Sequence, residues 1–165
     1  MIYTSWEDAK TYCEWRDARL PSEAEWEKAA RSGLAGKLYP WGDTFEGTLV
    51  NFCDKNCPFS HANTDFDDGY ADTAPVGSYA PNDYGLYDMA GNVCEWVNDW
   101  YDSDYYLDSP AENPTGPVSG DYRVLRGDSW NDNGSYVRVA YRYNYGPIDR
   151  YNDIGFRCVA SAPGK

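Results

Sequence analysis

Residues 82–96 read NDYGLYDMAGNVCEW, and the pattern of residue types in this stretch decides the fold class. Aromatic and apolar residues stand in it alone or in short runs, separated by Gly, Asn and Asp. The same pattern, with Pro among the separators, sets in after Gly33 and runs towards the C-terminus. It favours brief strands and long ordered loops over further helices.

Two helices are predicted before Gly33. The first has Ser5 placed to cap the free backbone N–H groups of its first turn. Five residues then recur at helical spacing: Trp6, Ala9, Tyr12, Cys13 and Arg16. The pattern indicates an amphipathic helix.

The second helix is predicted from a capping box at residues 22–25 (SEAE). Ser22 can accept from the backbone N–H of Glu25, and the Glu25 side chain can reach back to the start of the helix. Trp26, Ala29 and Ala30 follow, and Gly33 suits the C-terminal cap.

Residues 123–126 (RVLR) and 155–159 (GFRCV) have the alternation of strands with one buried face, and we expect them to close a sheet near the C-terminus. Residues 109–120 are rich in Pro, Gly and Ser and predict an extended surface loop rather than a domain boundary. Helices followed by short strands indicate the α+β class. A chain of 165 residues fits one domain, residues 1–165.

The formal net charge of −13 repels phosphate backbones, so nucleic acid is not expected as a partner. Such charge mostly keeps a protein in solution, but hard cations such as calcium can neutralise clustered carboxylates. No apolar run approaches the roughly 20 residues of a membrane helix, and the start MIYTSWEDAK is too polar for a secretory signal. We therefore expect a soluble chain without membrane insertion. Its compartment stays open, with display on a virion or cell surface among the alternatives.

The cysteine count is five, so at least one cysteine cannot pair within the chain. Cys53 and Cys57 bracket a turn-rich DKN sequence and could bridge locally. His61 is the only histidine, which leaves a tetrahedral zinc site without good ligands and gives no basis for a Ser-His-Asp triad.

Five phrases occur in one order along the chain: 19–30 (RLPSEAEWEKAA), 39–43 (YPWGD), 82–96, 123–130 (RVLRGDSW) and 154–158 (IGFRC). Together they resemble the formylglycine-generating-enzyme (sulfatase-modifying factor) family over nearly the whole chain. The resemblance implies a C-type-lectin-like fold with two helices, short strands and long ordered loops.

The resemblance also implies bound structural calcium. One family site maps onto Asn51, the Phe52 carbonyl, Asp68 and the Tyr70 carbonyl. The other maps onto Asp88, the carbonyls of Gly91 and Val93, and Glu95. These oxygen ligands suit a hard cation. The local alternative is that Asp65, Asp67 and Asp68 only solvate a turn.

Two further expectations concern cysteines. The family suggests a disulfide between Cys13 and Cys158. Cys94 stands where family members usually have Trp, which favours a buried core substitution over a reactive thiol.

The catalytic chemistry of the resembled family is expected to be missing. Its oxidases bind copper with two cysteines shortly after the phrase that ends in Trp130, but residues 129–137 read SWNDNGSYV. Asn and Asp cannot replace soft thiolates for copper(I), so we expect neither copper nor catalysis. The iron site of ergothioneine-type relatives is also not expected, because the chain has too few histidines to bind the iron. An oxidase of this family and a calcium-dependent lectin remain the alternatives.

Residues 128–153 read DSWNDNGSYVRVAYRYNYGPIDRYND, and Asn, Asp, Tyr, Ser, Gly and Ile recur there between apparently fixed residues. Those six residues are reachable from an AAC or AAT codon by changing adenines, whereas Lys, Glu, Gln and Met are not reachable and are absent. This window resembles the variable region of diversity-generating retroelement proteins, which implies ligand or receptor recognition. The fixed residues are Trp130, Arg138, Arg142, Pro147 and Arg150.

The expected partner is a protein or glycan ligand on a cell or host surface. Tyr offers a stiff contact surface, and the small polar residues adapt their hydrogen bonds, as in antibody paratopes. Replacing Tyr143 and Tyr145 by Ala is therefore expected to reduce binding and barely alter folding, although any of the tyrosines, Tyr141 above all, could instead belong to the core. The candidate ligand-binding residues are Asp128, Asn131, Asp132, Asn133, Ser135, Tyr136, Tyr141, Tyr143, Asn144, Tyr145, Gly146, Ile148, Asp149, Tyr151, Asn152 and Asp153.

Overall fold

The computed structural model describes residues 1–160 and has the predicted α+β architecture. Two helices precede a four-stranded sheet, and long irregular loops fill the rest of the chain. The elements are α1 (Trp6–Trp15), α2 (Glu23–Arg31), β1 (Cys94–Trp100), a short 3-10 helix (Tyr105–Leu107), β2 (Arg123–Arg126), β3 (Arg142–Tyr145) and β4 (Ile154–Phe156).

Both helices begin with complete capping boxes. Ser5 accepts from the backbone N–H of Asp8, and the Asp8 carboxylate accepts from the backbone N–H of Ser5. Ser22 and Glu25 make the same reciprocal pair, as the sequence predicted. The C-terminal cap of α2 differs slightly, because Ser32 takes the left-handed conformation (φ 43°) and Gly33 follows with φ 93°.

The strand order is β3-β2-β1-β4. β1 pairs antiparallel with β2 and parallel with β4, and β2 pairs antiparallel with β3. The predicted strand at 123–126 is β2. The strand expected at 155–159 is shorter and earlier, because β4 ends at Phe156 and Val159 instead pairs with Arg19 as an isolated bridge. β1 and β3 were not predicted from the sequence.

Three clusters of buried side chains form the core. The first core cluster lies between α1 and the sheet around Trp6 and Trp96, the second lies under α2 around Trp26, and the third lies under the loops around Phe52. The Trp6 indole donates to the carbonyl of Val97 at 2.8 Å, so a polar bond ties α1 to β1. The indoles of Trp6, Trp26 and Trp96 are all buried, and the N–H group of each donates a hydrogen bond.

A buried ion cluster joins α2 to the sheet. Arg126 on β2 and Arg142 on β3 both face Glu23, whose side chain is 2% exposed. Arg142 donates to both carboxylate oxygens at 2.6 and 2.9 Å, and Arg126 lies 3.3 Å from one of them. Arg126 also contacts Glu27. The cluster fixes the two strands that bracket residues 127–141.

Two disulfides close the chain at Cys13–Cys158 and Cys53–Cys57, and Cys94 is buried as a free thiol. The first is the pair that the family resemblance suggested, and the second is the local bridge. Residues 109–120 contain no helix or strand and are mostly exposed. Within residues 1–160, neither helix has the length and apolar character required to cross a bilayer.

Candidate functional site

A cavity of about 330 Å³ opens on the face formed by the C-terminal segment. We call it the tyrosine pocket. Eight of its nine lining residues come from the 128–153 segment, and the ninth, Cys94, is the first residue of β1. The lining residues are Cys94, Asp128, Asn131, Asp132, Tyr136, Tyr141, Tyr143, Tyr145 and Asp153.

The backbone brings these residues together by leaving the sheet after β2 and returning in β3. Gly127 (φ 93°) and Asp128 (φ 59°) make the turn out of β2, both in the left-handed region. A Cβ on Gly127 would lie 3.0 Å from the Trp26 ring, so glycine allows the close approach. The returning chain is held because Arg126 donates to the carbonyls of Val139, Ala140 and Tyr141 at 2.8–3.3 Å.

Three carboxylates line the pocket, and we call them its floor: Asp128, Asp132 and Asp153. Asp128 is only 6% exposed, so it forms the floor rather than part of an outward-facing patch. Its Oδ1 accepts a weak bond from the Cys94 thiol at 3.8 Å, and its Oδ2 has no hydrogen-bond partner within residues 1–160. Asp132 accepts from Ser129 at 3.0 Å, and Asp153 accepts from Asn131 at 3.1 Å.

Burial disfavours the charged forms of these groups. It raises the pKa of Asp128 well above its usual range, and the neighbouring Asp132 carboxylate adds to the rise. It also raises the pKa of Asp153 and that of the Cys94 thiol. Cys94 is therefore a buried thiol with little thiolate character, as expected from the sequence.

Tyrosines form the walls of the pocket. The rings of Tyr136 and Tyr141 lie 5.0 Å apart, and those of Tyr143 and Tyr145 lie 5.1 Å apart. Tyr136 and Tyr143 are 39% and 42% exposed, whereas Tyr141 and Tyr145 are half-buried. Tyr145 also packs against the first core cluster.

The fixed residues of the same segment mostly hold it to the helices. Arg142 binds Glu23 of α2, and Arg150 binds Asp8 of α1 at 2.7 Å. The carbonyl of Pro147 accepts from the first amide of α1 at 3.0 Å. Trp130 is 6% exposed, whereas Arg138 is exposed. Residues that hold the segment to the helices and residues that line the pocket are therefore interleaved along the segment.

The other eight candidate residues lie outside the pocket lining. Tyr151 touches the Tyr145 ring at 4.8 Å, and Ile148 is 75% exposed. The remaining six make local contacts or lie at the surface. Ser135 donates to Asn133, and Gly146 donates to Asp149. Asn144 pairs within the sheet in β3, and Asn152 is exposed.

The first expected calcium set is close together. Asn51 is 1% exposed, and its Oδ1 lacks a partner in the described part of the chain. The Asp68 carboxylate accepts from the backbone N–H groups of Phe52 and Tyr70 at 3.1 and 2.8 Å. Burial and the nearby Asp54 raise the pKa of Asp68 to about 6, as for a carboxylate that lacks a cation. The oxygens of this set fit calcium.

The second expected set fits calcium in part. Asp88 has a buried Oδ1 that is unpartnered among residues 1–160, and its other oxygen accepts from Gly77 at 2.8 Å. Gly91 has φ 67°, and a Cβ there would meet the Asn51 carbonyl at 2.1 Å, so only glycine fits. Both oxygens of Glu95, however, are already paired, with Arg157 and with the Trp26 indole.

The profile of the sulfatase-modifying factor enzyme 1-like domain family matches residues 1–162. The chain belongs to this family. It is 46% identical over 166 residues to a formylglycine-generating enzyme of Streptomyces coelicolor and 39% identical over 168 residues to the inactive C-alpha-formylglycine-generating enzyme 2 of Bos taurus. Both alignments cover 98% of this chain but only 52% and 50% of the relatives, so the chain spans about half their length.

Two solved structures share the fold. PvdO from Pseudomonas aeruginosa superposes with a TM-score of 0.77 at 31% identity, over 94% of this chain and 59% of that chain. Treponema denticola variable protein 1 superposes with a TM-score of 0.63 at 34% identity, over 84% of this chain and 46% of that chain. The sulfatase-modifying factor family therefore contains enzymes, an inactive member and a protein called variable.

The donors at the pocket do not fit the copper site that the family resemblance implies. Cys94 supplies one thiol, and the other four cysteines of the chain are paired in the two disulfides. The nearest donors to Cys94 are the carboxylates of Asp128 and Asp132, with one atom of each residue within 4.8 Å of the others. Copper(I) prefers soft ligands, so one protonated thiol and two carboxylates are a poor set for it.

Sequence reasoning missed Cys94 as part of the site. Its departure from the Trp usual in family members was visible, but it indicated only a core substitution. Cys94 lines the pocket because its thiol contacts Asp128, and that contact joins residues 34 positions apart in the sequence.

Proposed function

We propose that this domain is a non-catalytic recognition module whose 128–153 segment binds a protein or glycan ligand on a cell or host surface. One observation carries the proposal. Eight side chains of the segment line one open pocket, while Arg142 and Arg150 of the same segment bind the helices. A scaffold that is anchored at some positions can change the others without losing its fold.

The chemistry of the pocket supports recognition. Tyrosines provide large rigid contact areas, and Asn and Asp provide adaptable hydrogen bonds, the combination found in antibody paratopes. The likeness to Treponema denticola variable protein 1 supports the same function. The net charge of −13 favours partners other than nucleic acid.

A library experiment tests the proposal. The six pocket positions of the segment other than Asp128 and Tyr145 are randomised among Asn, Asp, Tyr, Ser, Ile and Gly, and a matched library randomises Trp130, Arg142, Pro147 and Arg150 in the same way. We expect most pocket clones to unfold cooperatively near the parent melting temperature and most framework clones to be unfolded. Selection of the pocket library against a folded protein target should yield binders. Equal loss of folding in the two libraries would contradict the proposal.

An oxidase is the second candidate function, favoured by the 46% identity to a formylglycine-generating enzyme. A copper-loaded sample of the chain incubated with a cysteine-containing peptide separates the two functions. Conversion of the peptide cysteine to formylglycine, lost in Cys94→Ser, would establish the oxidase and reject the binding module.

We also propose that calcium stabilises the chain segments at residues 51–70 and 88–95. The support is the buried Oδ1 of Asn51, which has no partner among residues 1–160, together with the desolvated Asp68 carboxylate, which accepts from the backbone N–H of Phe52, the residue after Asn51. Asn51, Asp68 and the carbonyls of Phe52 and Tyr70 would hold the ion. The second set would use Asp88 with the carbonyls of Gly91 and Val93, and Glu95 would have to share its oxygens with Arg157.

A further inference from the structure

The tyrosine pocket has a charge imbalance at its floor. Asp128, Asp132 and Asp153 all line it, and no Lys or Arg of residues 1–160 lies within 4.0 Å of any of their carboxylate oxygens. The buried carboxylates of Glu23 and Glu95, by contrast, each face an arginine. Buried charges are normally paired, so the pocket lacks a positive partner.

One carboxylate oxygen of Asp128 lacks a partner within the described chain. Asp128 lines the pocket and is 94% buried, with 6% of its surface exposed. Its Oδ2 accepts no hydrogen bond from residues 1–160. The raised pKa values of Asp128 and Asp153 agree with carboxylates that have lost water and gained no counter-charge.

The walls fit an organic cation better than a bare metal ion. Four tyrosine rings surround the opening, and an aromatic face attracts ammonium and guanidinium groups placed within roughly 6 Å. A cavity of about 330 Å³ holds an alkyl stem as well as its charged end and is far larger than one ion needs. The net charge of −13 also draws cations towards the molecule.

We propose that the tyrosine pocket binds an alkylammonium or alkylguanidinium group, with the charge on the carboxylate floor and the stem between the tyrosines. This inference rests on the proposed recognition function and names the chemistry of its ligand. Lys or Arg side chains of a partner protein and free polyamines share this chemistry. A protein side chain is the source that agrees with a recognition module.

Titration of the ¹⁵N-labelled chain tests the proposal. The probes are Nα-acetyl-lysine methylamide and Nα-acetyl-arginine methylamide, with the norleucine and citrulline analogues as uncharged isosteres. We expect saturable shifts of pocket resonances with a Kd on the order of 1–10 mM for the cations, and at least about tenfold weaker binding of the isosteres. Equal binding of cations and isosteres would overturn the proposal.

Two pairs of variants distinguish the effect of the carboxylates at the pocket floor from the effect of the overall negative charge of the protein. Asp128→Asn/Asp132→Asn should weaken cation binding at least about tenfold, because it removes two of the three floor carboxylates without changing side-chain size. Asp108→Asn/Asp121→Asn changes the net charge equally at exposed positions and should leave the Kd within about twofold. Equal weakening by both pairs would mean that only the overall charge acts.

Two further arms identify the source and the kind of cation. A peptide with one central Lys should bind more tightly than spermidine if a protein side chain is the ligand, and the reverse order would assign the pocket to polyamines. Zn²⁺ or Mn²⁺ that binds at micromolar concentration and displaces the lysine probe would overturn the proposal in favour of a metal. The library experiment does not depend on cation binding. If the pocket positions tolerate substitution but the cation probes do not bind, only the proposed ligand class is rejected, and the recognition function is retained.

Discussion

Asp128 combines two residue-scale features that conflict with stability. It takes the left-handed conformation, which Asp and Asn tolerate better than other non-glycine residues. Its buried carboxylate has no cationic partner among residues 1–160. Residues that bind ligands often reduce the stability of the free protein in this way. The sequence could place Asp128 in the 128–153 segment, but not in one pocket with the tyrosines.

Asp128→Asn should stabilise the free protein at neutral and alkaline pH. The folded-state pKa lies above the unfolded value of about 3.9, so the folded state binds the proton more tightly and its stability falls as the pH rises above about 4. Removing the carboxylate should raise the free energy of unfolding at pH 8 by on the order of 1–3 kcal/mol and flatten its pH dependence. Urea unfolding at pH 4, 6 and 8 measures this. A variant less stable than the parent at pH 8 would contradict the unpaired-charge interpretation.

Tyr143 and Tyr145 should differ on replacement by Ala, in contrast to the sequence-based expectation that replacing them barely alters folding. Tyr143 is 42% exposed, so Tyr143→Ala should change the free energy of unfolding by less than about 1 kcal/mol. Tyr145 packs on the first core cluster, so Tyr145→Ala should cost about 1–3 kcal/mol. Thermal unfolding of the two single variants decides between these values, and equal costs would mean that both rings are structural.

At the scale of elements, the ion cluster at Glu23 sets the position of the pocket. Its members are distant in sequence, with Glu23 on α2 and the two arginines on β2 and β3. Because these strands bracket residues 127–141, a shift of α2 would move both ends of the loop that carries most of the pocket.

Glu23→Gln should destabilise the domain strongly. It leaves the buried Arg126 and half-buried Arg142 without their shared carboxylate, and breaking a buried pair by removing one partner costs about 3–5 kcal/mol. Asp43→Asn is the control, because the Asp43–Lys37 pair is exposed on both sides and should contribute little. Chemical denaturation measures both variants. Similar midpoints would show that the cluster is not what holds the strands.

At the scale of the whole molecule, calcium should link the loops to global stability. A ligand that binds only the folded state at 100 times its Kd adds about 2.7 kcal/mol, which corresponds to a rise of roughly 5–10 °C in Tm. The parent chain should show this rise with calcium and a fall with EDTA, and Asp68→Asn should remove most of the response. Thermal scans of the parent, Asp68→Asn and the exposed control Asp121→Asn test this. A parent Tm that is the same in calcium and in EDTA would reject the calcium proposal.

The sequence by itself determined the two capped helices, the strand at 123–126, the α+β class, the family and the segment that carries the pocket. These features depend on side-chain patterns within a few residues or on phrases that keep their order. Only the tertiary structure decided that β1 and β3 are strands, that Cys94 contacts Asp128, and which tyrosines line the pocket. Asp128 and Asp153 meet because antiparallel β2 and β3 and the parallel pair β1 and β4 bring separate parts of the chain together, and a sheet register depends on packing between distant residues.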